Sequence, residues 1–399
     1  MLLLRLYDKS KQSPFNRQGD IDLFNARSVS PWLYAEQRFD DVLRQRLSEL
    51  YTLKETYTMK EKIINEEALE EAMKKCMKGV SYKSSVAYFF LNSADTIPEL
   101  HSQLENGTYK ARSPKRFTIN YPKKRDFVSI AFRDRVFQRS MNDNVVYPAM
   151  TKGFIYDNMA CQKGKGTDKA RKRMKFFLQD YWHKHGTEGY ALKMDIRKYY
   201  DSIPHDVAEK LFAEHLDSWT LEQVCTIMRE QYPREIGYNP GSQMIQILGI
   251  STPNKIDHVM KEKKHLKYYI RYQDDSIAIH KSKEYLEEII EEEKKLLSEI
   301  GLTLNEKKTK IVKLTEGFEF LGFIYRLTKT GKVIMTVSPA KVKTERRHLR
   351  NMVRKAKNGE LPKSKVDEHM KGVLNYYSKG NATKLTMRMQ QFYKDLWKE

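Results

Sequence analysis

Tyr272-Gln273-Asp274-Asp275, set between the apolar runs Tyr268–Arg271 and Ser276–Ile279, is the stretch that decides the fold of this chain. Aromatic and β-branched residues on both sides of a short polar break predict strand, tight turn, strand, with two acids thrown forward at the tip. Adjacent carboxylates repel and raise each other's pKa unless a cation neutralises them. A hard divalent ion with oxygen ligands does so, and Mg²⁺ suits phosphate substrates. Asp is also favoured in turns for capping reasons, so the pair needs company.

The company is Lys193-Met194-Asp195-Ile196-Arg197-Lys198-Tyr199-Tyr200-Asp201-Ser202-Ile203. Here an acid closes a second apolar strand, Tyr190–Met194, and leads into a helical segment. Two strands ending in Asp, side by side in one sheet, would give three carboxylates around a pair of metals. Two ions ~3.5–4 Å apart can activate a hydroxyl and stabilise a pyrophosphate leaving group in an in-line displacement.

Working outward, Tyr285–Ile300 predicts an amphipathic helix with Leu286, Ile289, Ile290, Leu297 and Ile300 on one face and Glu287, Glu288, Glu291 and Glu292 on a solvated one. Phe318–Tyr325 and Val333–Val337 read as strands, with Thr330-Gly331 as a turn between them. From Ala340 to Lys365 ten Lys/Arg face two Glu, and Val342, Leu349, Val353 and Ala356 recur at helical spacing, which predicts a basic amphipathic helix. Its apolar face lacks Trp and Phe, so a nucleic-acid-facing helix is favoured over a membrane-surface one. In the other direction, residues 81–180 are basic and interleaved with aromatics, as in Lys115-Arg116-Phe117, which suits contact with phosphates and bases. Residues 1–80 are helix-rich, with a stripe of Leu43, Leu47, Leu50 and Tyr51, and carry no chemical motif. His183 and His185 have no partners at zinc spacing.

The chain has 399 residues, and its 73 Lys+Arg exceed 52 Asp+Glu by 21 charges. Such a surplus calls for an anionic partner, nucleic acid first. It is concentrated at 109–175 and 340–365. Apolar residues make up 40%, too many for a disordered chain. No run approaches the ~20 apolar residues of a membrane span. Cys76, Cys161 and Cys225 are too few and too scattered for a disulfide framework or a Cys-rich zinc site. A soluble, intracellular protein with no membrane association is expected.

Over residues 85–395 the sequence resembles bacterial reverse transcriptases of the group II intron-related lineage, which includes retron, diversity-generating and phage-defence enzymes. Phe117-Thr118-Ile119 with Pro122-Lys123-Lys124-Arg125, followed by Phe132–Gln138, is similar to the first fingers block. Asn158-Met159-Ala160 with Lys163–Thr167 is similar to the second. Asp195–Ile203 resembles polymerase motif A and the Tyr-Gln-Asp-Asp run motif C. Gly301–Thr309 resembles motif D, and Phe320-Leu321-Gly322-Phe323 the primer-grip hairpin. Gly237-Tyr238-Asn239-Pro240-Gly241-Ser242-Gln243-Met244-Ile245-Gln246 resembles motif B, with Asn239 for the usual Pro, Pro240 at the variable position and Ile245 for a Ser.

The resemblance implies an α+β right-hand polymerase: fingers at 81–186, a palm of antiparallel sheet plus helices at 187–327, a helical thumb at 328–399, and an N-terminal helical extension at 1–80. It implies that Asp195, Asp274 and Asp275, with the Ile196 carbonyl, hold two Mg²⁺, for which Mn²⁺ could substitute. Lys308 would protonate or stabilise the leaving pyrophosphate. Lys123 and Arg125 would meet the triphosphate, and Tyr200 would crowd a ribose 2′-hydroxyl. Pro240, Gly241 and Gln246 fall where the family meets the nucleotide, though Pro240 lacks the amide that many relatives offer there.

The implied activity is RNA-directed DNA synthesis from dNTPs on a DNA or RNA primer, in the cytoplasm of a bacterium. No RNase H or endonuclease domain is expected after the thumb. Antiphage defence with a noncoding RNA template is favoured over a diversity-generating role, on the N-terminal extension and the irregular motif B. A retron enzyme is disfavoured, because Thr336-Val337-Ser338-Pro339 stands where retron thumbs carry Val-Thr-Gly. Template-independent synthesis and a silent RNA-binding scaffold remain the other readings. The N-terminal extension is a candidate contact for a protein partner or a second copy.

Overall fold

The computed structural model describes residues 57–119, 125–238 and 242–398. The Leu43–Tyr51 stripe, Lys123, Pro240 and Gly241 lie outside these. Four strands, β3 (Tyr190–Asp195), β4 (Tyr268–Tyr272), β5 (Asp275–His280) and β6 (Lys310–Lys313), form the central sheet in the order β4-β5-β3-β6. Every pair is antiparallel. The hairpin ribbon of β1 (Lys115–Ile119) and β2 (Arg125–Ser129) stands apart, and β7 (Phe318–Phe320), β8 (Phe323–Leu327) and β9 (Val333–Val337) make a third sheet.

The central strands read as nearly continuous apolar runs because both sheet faces are buried. Leu192, Met194, Tyr269 and Ala278 point into one core, shared with the helix Lys283–Glu299 through Leu286, Ile289 and Leu297. Ala191, Ile270, Ile277 and Ile279 alternate into a second core. That core also holds Met174, Phe177 and Leu178 of the helix Thr167–His185 and the inner faces of β7–β9. Each fully buried Leu, Ile, Met or Phe among these contributes about 1.5–3 kcal/mol. The sheet is therefore a partition between two cores, rigid along its length, and its free end is where the acids stand.

The helices Met59–Ile64 and Glu66–Cys76 join the first core through Ile63, Ile64, Leu69 and Met73, packing against the helix Phe132–Met141. Thr58 and Glu61 close a capping box at the start of this pair.

Two patterns resolve differently from expectation. The run Phe318–Tyr325 is two strands, because Leu321 and Gly322 both adopt left-handed backbone, φ 49° and 78°. Two such residues in succession make the two-residue turn that reverses a hairpin. The basic helix after Pro339 stops at Lys357; Gly359 at φ 74° breaks it, and a separate helix, Lys363–Ser378, begins after Pro362. A third helix, Thr383–Lys398, completes the C-terminal bundle. The short strand β6 was not legible, since Lys310–Lys313 is only half apolar and takes its place by pairing with β3. No helix among the described residues is long and apolar enough to cross a membrane.

Candidate active site

In the register of β3 on β5, Asp195 stands directly opposite Asp275. Tyr272 pairs with Asp275 across β4 and β5, so the tight turn itself is Gln273-Asp274, one residue earlier than an Asp-Asp turn would place it. The Asp274 carbonyl accepts from the Ile196 N–H at 3.3 Å, tying the hairpin tip to the end of β3. Three carboxylates thus converge at one end of the sheet, as the sequence indicated. Ile196 is buried beside them.

Gln273 occupies left-handed backbone at φ 60°, a conformation unfavourable for a residue with a Cβ. Its surroundings hold it there. Its side-chain Oε1 accepts from the Tyr200 hydroxyl, and its Nε2 donates to Cys161 Sγ at 2.9 Å. Its carbonyl accepts from Arg271 Nη1 at 3.0 Å. Arg271 is in turn fixed by Asp257, through Nε at 2.7 Å and Nη2 at 2.6 Å, in an ion pair of which 2% and 0% of the side chains are exposed. The Tyr269 hydroxyl donates to the same Asp257 carboxylate at 2.9 Å.

The electrostatics follow from burial and crowding. Burial raises the Asp274 carboxyl, and Asp195 adds to it. Burial pushes Asp275 up to about 6; Lys193 pulls it back, while Asp274 and Asp195 push further. Lys193 lies two residues before Asp195, hence on the same strand face, with its Nζ 3.7 Å from Asp275 Oδ1. Asp195 is matched differently. Lys308 Nζ donates to its two oxygens at 2.8 and 3.0 Å, and Asn305 Nδ2 donates at 2.8 Å. The bond to Asp195 raises the Lys308 ammonium above its usual value.

An all-oxygen donor set whose members repel one another is chemically suited to a hard divalent cation. Among the described residues, however, no three His, Cys, Asp or Glu side chains stand ready-arranged around one ion position. Lys308 and Asn305 both donate to the Asp195 oxygens.

The remaining expected residues divide. Tyr200 lies at the site, half-buried between Gln273 and the helix Gln243–Ser251, where Gly249 leaves room for its ring. Gln246 is exposed on that helix. Ser242 caps the helix by accepting from the Ile245 N–H at 3.1 Å. Arg125 begins β2 opposite Ile119.

Lys193, Gln273, Cys161, Asn305, Arg271 and Asp257 carried no role in the sequence reading. Spacing could have found two of them. Lys193 is at i−2 from Asp195 on a strand, and Asn305 at i−3 from Lys308. The Gln273–Cys161 contact, 112 residues apart, has no sequence signal.

The family described as reverse transcriptase (RNA-dependent DNA polymerase) matches residues 122–325, just over half of the chain, and takes in β3–β7 and all three carboxylates. No curated protein matches. Among solved structures, the chain is similar to an apo telomerase from Candida tropicalis truncated from its C-terminal domain. Identity there is 15% and the TM-score 0.40, over 56% of this chain and 54% of that one. It is also similar to a telomerase from Candida albicans solved with a fragment of telomeric RNA. That match has 12% identity and a TM-score of 0.43, over 73% of this chain and 60% of the other. The chain thus spans little more than half the length of either telomerase.

Proposed function

We propose, for a chain that belongs to the reverse transcriptase family, that it is an RNA-directed DNA polymerase extending a primer 3′-hydroxyl with dNTPs. The observation that carries this reading is the cross-strand register of Asp195 and Asp275 with Asp274 in the adjoining turn. Asp195, Asp274 and Asp275, with the Ile196 carbonyl, would hold divalent ions, Mg²⁺ for choice. Bound there, such ions favour ionisation of a 3′-hydroxyl and offset charge on the leaving pyrophosphate.

The chain's own residues do the rest. The Gln273 tether to Tyr200, Cys161 and Arg271 fixes the carboxylates before substrate arrives, which is where preorganised sites gain their advantage. The Tyr200 ring, backed by Gly249, would limit room beside the ribose and so favour dNTPs. Lys308, bound here to Asp195, would protonate or stabilise the leaving pyrophosphate. Lys123, Arg125, Pro240, Gly241 and Gln246 would line the nucleotide's approach. The surplus of 21 positive charges supports an RNA template and a primer as partners.

The setting we favour is antiphage defence in the bacterial cytoplasm with a noncoding RNA template, supported by the irregular motif B and the N-terminal extension. A diversity-generating role is the second reading, and Pro240 keeps template-independent synthesis in view. Primer extension by the intact protein, with Asp274→Ala and Asp275→Ala as controls, tests the chemistry; synthesis that survives either substitution would refute it. Sequencing the RNA and DNA that copurify tests the setting. One dominant noncoding RNA with complementary DNA is expected, and DNA of random sequence would overturn the templated reading.

A further inference from the structure

A second cationic and aromatic surface lies on the far edge of the central sheet from β3. The segment 157–159 runs beside β4, where the Arg271 N–H donates to the Asp157 carbonyl at 3.1 Å and the Met159 N–H to the Arg271 carbonyl at 2.9 Å. With β4 and β5 between it and β3, this edge is separate from the strand that carries Asp195.

Tyr156, immediately before that segment, keeps 58% of its surface exposed. Three cations surround its ring: Lys165 Nζ, Lys169 Nζ and the Arg173 guanidinium, 5.5, 5.2 and 5.1 Å from the centroid. Arg173 also lies 5.1 Å from the ring of Phe176, which is 51% exposed. The helix Thr167–His185 sets this spacing, since Lys169, Arg173 and Phe176 fall at i, i+4 and i+7.

Of the three cations, Arg173 has a carboxylate partner and the two lysines have none among the described residues. Buried Asp157 is taken by Arg173 at 2.7 Å and by Lys261 at 2.9 Å. Lys165 donates to the Tyr156 and Asn158 carbonyls, at 2.9 and 2.8 Å, and among the described residues neither it nor Lys169 has a carboxylate partner. Burial, then the charge of Lys169, holds the Lys165 ammonium below its usual value, a crowding that an anion would relieve.

Exposed rings beside unmatched cations are what a flexible polyanion with flat faces requires. We propose that this edge binds a single-stranded polynucleotide, with bases stacking on Tyr156 and Phe176 and phosphates met by Lys165 and Lys169. An acidic protein would satisfy the lysines but would make no use of the rings as stacking platforms.

The test is fluorescence anisotropy of the full chain with a labelled, unstructured oligonucleotide, in RNA and DNA arms, without dNTPs. The polymerase reading can therefore fail while this one stands. Tyr156→Ala and Phe176→Ala should each weaken binding by about fivefold or more. Lys169→Gln, a change at a half-buried lysine with no ion pair among the described residues, should flatten the salt dependence by about 0.7 in log–log slope. Extension of a pre-annealed primer–template should be unchanged in all three. A Tyr156-dependent affinity in either arm supports the surface, and the tighter arm names the strand. Wild-type affinity and salt slope in variants that melt like the wild type would overturn it. So would a parallel fall in pre-annealed extension, which would put the rings in the catalytic cleft.

Discussion

Asp195 and Asp275 face one another across antiparallel strands, at the one pairing where β3 and β5 both terminate in an acid. Strand pairing alone fixes their separation, with no loop between them to adjust it. From this follows competition between protons and divalent ions. Asp275 is pushed up to about 6, so below that pH the proton occupies an oxygen an ion would need. Divalent affinity, read by calorimetry, should tighten as pH rises through about 6 and then level. Lys308→Ala should tighten it further by vacating Asp195, while slowing extension by about 100-fold through loss of the acid. Affinity independent of pH and of Lys308 would contradict this arrangement.

Gly249 holds the Tyr200 ring in place by what it lacks. A Cβ there would lie 2.6 Å from the Tyr200 hydroxyl and 2.8 Å from ring carbons. Gly249→Ala should cost about 1–3 kcal/mol in a denaturant melt and raise ribonucleotide incorporation by displacing the ring. Tyr200→Ala in the same chain should recover most of the lost stability. Additive losses would show that the two residues do not meet.

The ion pair of Arg271 with Asp257 is almost wholly buried and also anchors the Gln273 carbonyl. Asp257→Ala leaves an uncompensated guanidinium in the core and should destabilise by about 3–5 kcal/mol. At a temperature where the variant is still folded, extension should fall too. Stability equal to wild type would refute the role given to Asp257.

Glu293 is buried on the helix Lys283–Glu299, with Oε2 unpartnered among the described residues, and burial pushes its carboxyl up to about 8 from 4.5. Below 4.5 folded and unfolded chains both carry the proton; between 4.5 and 8 only the folded chain keeps it. The wild type therefore loses stability as pH rises through that window. Glu293→Gln removes the dependence, so its melting advantage should grow across the window and level above it. An advantage that is flat with pH would contradict the burial of a titrating carboxyl.

These residues also mark how far the sequence could be read. The strands and the acids were legible because each is local, a nearly continuous apolar run, then Asp, then a break, while the turn fell one residue earlier than read. The helix over 285–300 was legible as well, with Glu287, Glu288, Glu291 and Glu292 on its solvated face, yet Glu293 was given no place. Its spacing, i+4 from Ile289 and i−4 from Leu297, puts it in line with the apolar stripe, so its burial follows from the helical period and only its residue type disguised it. The split of Phe318–Tyr325 into two strands depends on Leu321 tolerating left-handed backbone, which propensity argues against. Cys161 and Asp257 reach the site only through tertiary contacts with Gln273 and Arg271. Their roles arise from packing, and no spacing encodes them.

The most direct test of the central claim is extension of a primer on a defined RNA template with dNTPs and Mg²⁺, comparing the intact chain with Asp275→Asn. Product complementary to the template is expected from the intact chain, with a loss of about 100-fold or more in the variant, which keeps the shape of the carboxylate but not its charge. Product whose sequence ignores the template, or equal synthesis by the variant, would contradict it.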